Sequence, residues 1–145
     1  WVKLPDINIP IIKAKIDTGA LTSALHAFEI EIFNDDEIEM VRFKIHPLRK
    51  RQDVIKVCEA PVYDRRLVRS SSGDQEERIV IETNIALGES LFKSLITLTS
   101  REDMLFRMLI GRRAIRSANV LVDASRSFLL GNLKGVHYSK YYPEV

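Results

Sequence analysis

An acidic loop motif directly after an apolar run constrains this chain more than any other feature. Asp17-Thr18-Gly19-Ala20 follows residues 11–16, which we predict to form an extended strand. A carboxylate held just past the end of a strand can activate a water molecule, and the neighbouring hydroxyl can hold the loop by a hydrogen bond. Glycine lets the backbone turn sharply and approach the acid. The motif is therefore predicted to be a catalytic loop, and the alternative is an ordinary polar turn.

A second motif supports the catalytic interpretation. Met108-Leu109-Ile110 is an apolar run that ends in Gly111-Arg112. An Asp-Thr-Gly-Ala loop followed later by two hydrophobic residues and Gly-Arg resembles the retropepsin class of aspartic peptidases. That resemblance implies a mainly β fold, a closed retropepsin-type (acid protease) β barrel with one short helix. The many short strands at fairly even spacing independently favour a closed β barrel.

The fuller set of motifs resembles one bacterial family over most of the chain. That family is labelled "ATP-dependent zinc protease" and is associated with RimK-type ATP-grasp glutamate ligases. The motifs that carry the resemblance lie at residues 12–20, 22–27, 41–47, 68–73, 77–78 and 109–112. The resemblance implies an aspartic-type endopeptidase in which Asp17, Thr18 and Gly19 form the catalytic loop.

The number of acids in a suitable context predicts a homodimer. Aspartic peptidase chemistry uses two carboxylates that share one proton, because two like charges so close together cannot both ionise. This chain offers one Asp-Thr-Gly loop, and a twofold axis would pair Asp17 with its symmetry mate. Asp123 also follows an apolar run, but no glycine follows it. We therefore interpret Asp123 as a turn acid rather than as a second catalytic acid.

The resemblance also implies roles for the residues around the acid. Thr18 would hydrogen-bond across the dimer axis, with an ordinary turn hydroxyl as the alternative. Ala20 would let a substrate strand lie close to the loop. Gly111 and Arg112 would have a structural role, in which Arg112 ties the dimer or the loop near the active site. A merely solvated arginine is the alternative for Arg112.

Two polar stretches, residues 47–53 and 63–78, are candidates for a flap that excludes water from the site. The second contains Arg65, Arg66 and Arg69, which we predict to bind acidic substrates through carboxylate–arginine hydrogen bonds. Because the resembled family is associated with glutamate ligases, the expected substrates are glutamate-rich or poly-glutamylated proteins. The alternative for the basic residues in both stretches is a solvated loop.

The zinc and ATP parts of the family label have no support in the residues. The histidines, His26, His46 and His137, are scattered singly, and no His-Glu-x-x-His motif occurs. No glycine-rich phosphate-binding loop with its lysine is present either. We therefore expect no metal and no cofactor, and we expect any ATP requirement to belong to an ATP-grasp ligase partner.

Composition is that of an ordinary globular domain. The sequence has 145 residues, 46% hydrophobic and 29% charged, and we expect one domain over residues 1–145. A net charge of +2 gives no strong case for nucleic acid, and no apolar run is long enough for a membrane helix. We expect a cytoplasmic protein. A periplasmic one is the alternative, because the sequence begins at Trp1 rather than at methionine.

The secondary structure is predicted to be mostly strands. They include residues 41–45, 54–58, 79–83, 95–99, 120–122 and 128–130, with a hairpin tip at 34–36 and one short helix at 112–116. The aromatic stretch 136–143 is predicted either to pack on the barrel or to contribute to the dimer. A second class of function also stays open, namely a retropepsin-fold module that binds a peptide or a ligase without turnover.

Overall fold

The computed structural model describes residues 1–69, 73–133 and 137–143. Within these ranges the chain forms eleven strands, one α-helix and two short 3-10 helices at Pro5–Ile7 and Tyr138–Lys140. The strands are β1 (Val2–Leu4), β2 (Ile9–Ile12), β3 (Ala14–Ile16), β4 (Ser23–His26), β5 (Phe28–Asp35), β6 (Ile38–Ile45), β7 (Lys56–Pro61), β8 (Asp64–Arg69), β9 (Gln75–Leu87), β10 (Ser90–Thr99) and β11 (Met108–Ile110), and the helix is α1 (Arg112–Ala118). The predictions of a mainly β fold and of a short helix after Gly111 are confirmed. No helix in the described ranges is both long and apolar enough to cross a membrane.

Eight of the strands form one sheet that rolls into a nearly closed barrel. The strand order is β2-β1-β9-β10-β4-β11-β3, and β8 pairs with β9 beside this path. The two outermost strands are consecutive in sequence, because β2 ends at Ile12, β3 begins at Ala14 and only Lys13 separates them. Since β2 pairs with β1 and β3 pairs with β11, the chain itself joins the two edges of the sheet at Lys13.

The pairing of β11 brings the two sequence motifs to one end of the barrel. This strand lies between β3 and β4, parallel to β3 and antiparallel to β4. Its register places Ile110 opposite Ile16. Asp17 and Gly111 therefore follow two neighbouring strands at the same end of the sheet.

A second sheet, with the order β5-β6-β7, is antiparallel throughout and packs on the barrel. The β5–β6 hairpin turns at Asp36 and Glu37, both with positive φ of 47° and 68°, which is slightly later than the predicted tip. Positive φ at both central residues matches the right-handed twist of the flanking strands. On β6, Val41, Phe43 and Ile45 are buried and alternate with charged residues, as the sequence pattern predicted.

Two predicted strands are wrong. Residues 120–122 and 128–130 form irregular backbone and turns. Asn119 ends α1 in the left-handed conformation at φ 55°, and the Val120 N–H bonds back to the helix at Ile115 O, 3.5 Å away. The chain thus leaves α1 through a capping turn. The apolar composition of both segments gives strand propensity, but strand propensity depends on having a neighbouring strand to pair with.

The aromatic C-terminal stretch packs on the barrel over the described residues 137–143. Tyr142 is fully buried in a small second core with Ile11, Leu48 and Val54. Its hydroxyl donates a hydrogen bond to the carbonyl oxygen of Ile11 on β2. The described part of this stretch therefore packs on the barrel, and its contribution to a dimer stays a prediction.

Candidate active site

Asp17 stands immediately past the end of β3, where pairing with β11 fixes its main chain. The Asp17 N–H donates a hydrogen bond to Ile110 O at 2.9 Å, which extends the β3–β11 pairing beyond the last strand residue. The Asp17 residue is only half-buried. The sheet therefore holds the backbone of the acid in place while the carboxylate stays accessible.

The loop folds back on the Asp17 carboxylate. The Gly19 N–H donates to Asp17 Oδ1 at 2.9 Å, and the Ala20 N–H donates to the Asp17 carbonyl at 3.3 Å. A Cβ at position 19 would lie 3.2 Å from Oδ1, so glycine allows this close approach. Within the described part of the chain no other group donates to this carboxylate, which leaves Oδ2 available to water or to a substrate.

Gly111 is required where β11 passes the Asp17 loop. A Cβ at this position would lie 2.8 Å from the Thr22 carbonyl carbon and 3.0 Å from Ala20 O, which are backbone atoms that cannot rotate away. The Gly111 N–H donates to the buried Ser23 hydroxyl at 3.0 Å. The Arg112 N–H then donates to Ala20 O at 2.8 Å. The start of α1 is thereby fastened to the end of the loop.

Arg112 reaches back over the loop with its side chain. Its Nη1 donates a hydrogen bond to Thr18 O at 3.0 Å. Both residues are exposed, and among the described residues the guanidinium has no carboxylate partner. The contact joins the Gly-Arg motif to the Asp-Thr-Gly motif.

A family model matches the chain over these motifs and nearly all of the barrel. The match covers residues 1–132 and is to the RimB-like family, described as the retropepsin-like aspartic endopeptidase RimB. The chain belongs to the RimB-like family. The predicted retropepsin-type fold and the predicted RimK-associated family are therefore confirmed.

Relatives with curated names are 40% to 44% identical to this RimB-like chain over the aligned segment. A protein of Parasynechococcus marenigrum (strain WH8102) named "Probable alpha-L-glutamate ligase" is 44% identical over 134 residues, which are 92% of this chain and 28% of that protein. A protein of the same name from Shewanella pealeana is 40% identical over 98% of this chain and 31% of its own length. The chain thus spans less than a third of the length of these relatives. A crystal structure of protein Lpg0085 from Legionella pneumophila, of unknown function, matches with a TM-score of 0.74 at 28% identity, covering 90% of this chain and 92% of that one.

The arginines predicted to bind acidic substrate lie on the outer strand β8 of this RimB-like barrel. Arg65 pairs with Glu39 at 2.7 Å and with Glu77 at 3.6 Å, and Arg66 pairs with Asp64 at 3.0 Å. The Arg69 side chain lies outside the described residues. Among the described residues no hydrogen bond or ion pair joins Arg65 or Arg66 to the Asp17 loop, and both have carboxylate partners within the chain. Their substrate role stays a prediction.

The two flap candidates differ in structure. Residues 47–53 form turns anchored by the buried Leu48, and Arg51 donates two hydrogen bonds to Asp53 at 2.9 and 2.8 Å. Residues 63–78 contain an antiparallel hairpin of β8 with the start of β9, in which Arg69 lies opposite Gln75. The tip of this hairpin, residues 70–72, lies outside the described ranges.

Asp123 occupies a tight turn. Its Oδ1 accepts hydrogen bonds from the Ser125 hydroxyl at 2.6 Å and from the Ser125 N–H at 3.0 Å. These two hydrogen bonds, above all the one from the hydroxyl, stabilise the ionised carboxylate and so hold the pKa of Asp123 below its usual value. These contacts within a local turn agree with the interpretation of Asp123 as a turn acid.

His26 and His46 are packed against other residues in the described structure, whereas His137 is exposed. His26 is fully buried, and its Nδ1 accepts the Arg101 N–H at 3.2 Å. His46 stacks on Phe28 with ring centroids 4.5 Å apart. In the described ranges no three His, Cys, Asp or Glu side chains lie close enough together to hold a metal ion. These donors do not form the three- or four-ligand set that zinc requires.

Two residues with buried polar groups were not singled out by the sequence analysis. Ser23 binds Gly111 through a buried hydroxyl, and its place directly after the loop was the only sequence signal for this role. Arg107 is 8% exposed, although arginines are seldom fully buried without a partner. Its place before β11 gave no sequence signal, because burial of a single arginine depends on how distant segments pack.

Proposed function

We propose that this chain is an aspartic-type endopeptidase that acts as a homodimer, with one Asp-Thr-Gly loop from each copy. The observation that carries the proposal is the placement of Asp17. Its backbone is bonded to Ile110 O, and one carboxylate oxygen is held by the Gly19 N–H at 2.9 Å while the other is left for water. A carboxylate fixed on a rigid element is what a general base for hydrolysis requires.

In the proposed mechanism the two Asp17 carboxylates share one proton at the twofold axis. The ionised carboxylate takes a proton from a water molecule, whose oxygen attacks the carbonyl carbon of the scissile peptide bond. The protonated partner donates its proton to the carbonyl oxygen. The first carboxylate then gives its proton to the amide nitrogen, the partner takes a proton from one hydroxyl of the tetrahedral intermediate, and the carbon–nitrogen bond breaks. One water is consumed, one peptide bond is broken, and the dyad returns to its singly protonated form.

Apolar side chains beside the loop support a dimer at this face. Ile16, directly before Asp17, is 38% exposed, and Leu21, directly after Ala20, is 46% exposed. Exposed apolar residues around a functional loop are typical of a surface that a partner covers. A second copy placed on a twofold axis would cover them and bring the two acids together.

The β8–β9 hairpin is the better flap candidate. It projects as a two-stranded ribbon from β9, the strand that also pairs with β1 and β10. A ribbon of this kind can close over a bound peptide and exclude water. We therefore assign the flap to residues 63–78 rather than to residues 47–53, where Leu48 is anchored in the second core.

The names of the relatives support a link to glutamate ligation. The chain matches under a third of two proteins named "Probable alpha-L-glutamate ligase", so each of those proteins combines a segment like this one with a longer remainder. A domain joined to a ligase in one protein is expected to act on the same substrates as that ligase. We therefore propose glutamate-rich or poly-glutamylated proteins as substrates and an ATP-grasp ligase as a partner.

The test is a peptidase assay on peptides with and without glutamate tails. Asp17→Asn keeps the shape of the side chain and removes its basicity, and we expect it to lower the rate by roughly a hundredfold to ten-thousandfold. Asp123→Asn is the matched control and should retain the rate of the unsubstituted chain. Activity abolished by a chelator and kept in Asp17→Asn would overturn the proposal in favour of a metallopeptidase. Sedimentation should give a dimer wherever the chain is active.

A non-catalytic binding module is the second candidate. It is favoured by one observation, namely that the curated relatives are named for ligation and not for hydrolysis. In that case Asp17→Asn would bind a glutamate-tailed peptide or a ligase as well as the unsubstituted chain does, and neither would cleave it.

A further inference from the structure

A small pocket lies beside Lys13, the residue that joins the two edges of the barrel. It has a volume of about 180 Å³ and is lined by Lys13, residues 47–51 and residues 105–107, with Trp1 and Tyr138 at its side. At about 30 Å³ for each water molecule, this volume holds roughly six waters. The pocket therefore suits a single side chain and is too small for a nucleotide.

Three buried nitrogen donors, on two residues of this pocket, have no acceptor among the described residues. The Arg107 residue is 8% exposed, and its Nε and Nη1 are buried without a hydrogen-bond partner among the described residues. The indole Nε1 of Trp1 is also buried without a hydrogen-bond partner among the described residues. Buried donors are nearly always paired in folded proteins, since an unpaired one is costly. Three unpaired donors at one pocket favour the binding of a hydrogen-bond acceptor from outside the chain.

The charges around the pocket specify an anion. Lys13, Arg49 and Lys50 join Arg107 in its wall, and none of the lining residues is acidic. Arg51 also lines the pocket, but its guanidinium is bonded to Asp53. No described carboxylate pairs with Arg49, Lys50 or Arg107. By contrast, Arg65 and Arg66 on β8 form ion pairs with carboxylates of the chain.

The remainder of the wall is apolar. Leu48, Leu105, Phe106 and the ring of Trp1 line it. An anion with a short aliphatic stem fits such a wall better than a fully hydrated inorganic ion, because the stem is buried while the head is paired. A glutamate side chain has this form.

The pocket and Asp17 lie toward opposite ends of one extended segment. Lys13 precedes β3 and Asp17 follows it, so about 13 Å separate them at roughly 3.3 Å for each residue. A bound peptide in the extended conformation would cover the same distance with about four residues. A subsite at this pocket would therefore take a residue about four positions from the one held at the catalytic loop.

We propose that this pocket binds the side-chain carboxylate of an acidic residue in a peptide substrate, about four residues from the bond that is cleaved. Arg107 and the Trp1 indole supply the hydrogen bonds, and Lys13, Arg49 and Lys50 supply positive charge. The assignment as a substrate subsite rests on the proposed peptidase function, whereas the binding of the carboxylate does not.

The single tryptophan of the sequence, Trp1, lines the pocket and gives a direct readout. The whole chain carrying Asp17→Asn, which cannot turn over a substrate by the proposed mechanism, is titrated with N-acetylated, C-amidated tri-glutamate while Trp1 fluorescence is followed. We expect a saturable change that tri-glutamine with the same blocked ends does not produce. Arg107→Gln should weaken binding roughly tenfold to a hundredfold, since it removes a charge-assisted hydrogen bond.

Further variants keep the test independent of folding. Arg107 is buried, so the double variant Arg49→Gln with Lys50→Gln, on an exposed turn, provides a second test and should also weaken binding about tenfold or more. Lys93→Gln on β10 removes one exposed positive charge that does not line the pocket, and it should leave the dissociation constant unchanged. Unchanged binding in the double variant and in folded Arg107→Gln would overturn the proposal.

Other ligands identify the source of the anion. Inorganic phosphate that competes as well as tri-glutamate would overturn the assignment to a peptide side chain. Tri-glutamine with a free C-terminus that binds as well as blocked tri-glutamate would assign the pocket to a terminal carboxylate instead. Binding of tri-glutamate by Asp17→Asn, together with no cleavage of any glutamate-tailed peptide by the unsubstituted chain, would overturn the peptidase proposal and leave the pocket assignment intact.

Discussion

Arg112 donates a hydrogen bond from its guanidinium to the carbonyl oxygen of Thr18, 3.0 Å away, and so joins the first residue of α1 to the loop that carries Asp17. The two residues are far apart in sequence and meet because β11 runs parallel to β3. Three hydrogen bonds connect residues 111–112 to residues 18–23. The start of α1 therefore holds the loop, in addition to its covalent attachment to β3.

Loss of the Arg112 side chain is expected to reduce activity more than stability. Arg112→Met keeps the stem and removes the donor to Thr18 O, which loosens the loop around Asp17. Because the contact is exposed, the free energy of unfolding should fall by only about 1 kcal/mol or less, whereas kcat should fall roughly tenfold as the acid loses its fixed position. The matched control is Arg113→Met, since the exposed Arg113 side chain has no such contact and only its backbone N–H bonds to Leu21 O. Equal losses of kcat in both variants would contradict this role of Arg112.

Substitution of Gly111 is expected to disrupt the site through backbone contact. A Cβ 2.8 Å from the Thr22 carbonyl carbon forces the loop or β11 to move, and we expect Gly111→Ala to lower the free energy of unfolding by about 1–3 kcal/mol. Gly131→Ala is the control, because open space surrounds Gly131 and only its φ of +120° opposes a side chain. It should cost about 1 kcal/mol and leave activity unchanged. Urea denaturation of both variants, together with the peptidase rate, distinguishes a contact effect from a purely conformational one.

The motifs predicted the parts of the fold that local chemistry controls. The Asp17 loop, the glycine before α1 and the alternation on β6 all follow from residue types at short spacing. Both motifs were recognised in the sequence, but the sequence could not show that the strands leading to them are neighbours in the sheet. Which strands pair is decided by long-range packing, and the closure of the barrel at Lys13 had no local signal.

The failures have the same physical origin. Residues 120–122 have the composition of a strand but lie past a capped helix with no strand beside them. The sequence did not show that Arg65, whose substrate role stays a prediction, pairs with Glu39 from the other sheet. It also did not show that Arg107 is buried at a pocket. In each case the environment of the residue comes from segments that are distant in sequence.

Removal of the Tyr142 hydroxyl is expected to destabilise the small second core. Tyr142→Phe keeps the ring among Ile11, Leu48 and Val54 and removes the donor to Ile11 O. A buried carbonyl that loses its donor costs about 1–3 kcal/mol. Tyr141→Phe is the control, since the Tyr141 hydroxyl makes no described hydrogen bond, and it should change the free energy of unfolding by less than about 0.5 kcal/mol. Thermal and urea denaturation measure both variants, and equal stability of the two would show that the Tyr142 bond adds nothing.

Acidification is expected to destabilise the protein through His26. Burial lowers the pKa of His26 below its usual 6.5, against the opposing effect of the Glu102 carboxylate, whose Oε1 lies 3.7 Å from His26 Nε2. The unfolded chain therefore takes up its proton at a higher pH than the folded chain does. The contribution of neutral His26 to the free energy of unfolding is complete above pH 6.5. It is lost as the pH falls through the folded pKa, and the free energy of unfolding then decreases by up to about 1.4 kcal/mol for each pH unit. His26→Asn, whose amide oxygen can accept the Arg101 N–H, should be less stable at pH 7 but should lose less stability between pH 7 and 5. Urea denaturation across this range measures the two slopes, and equal slopes would assign the acid sensitivity to other groups.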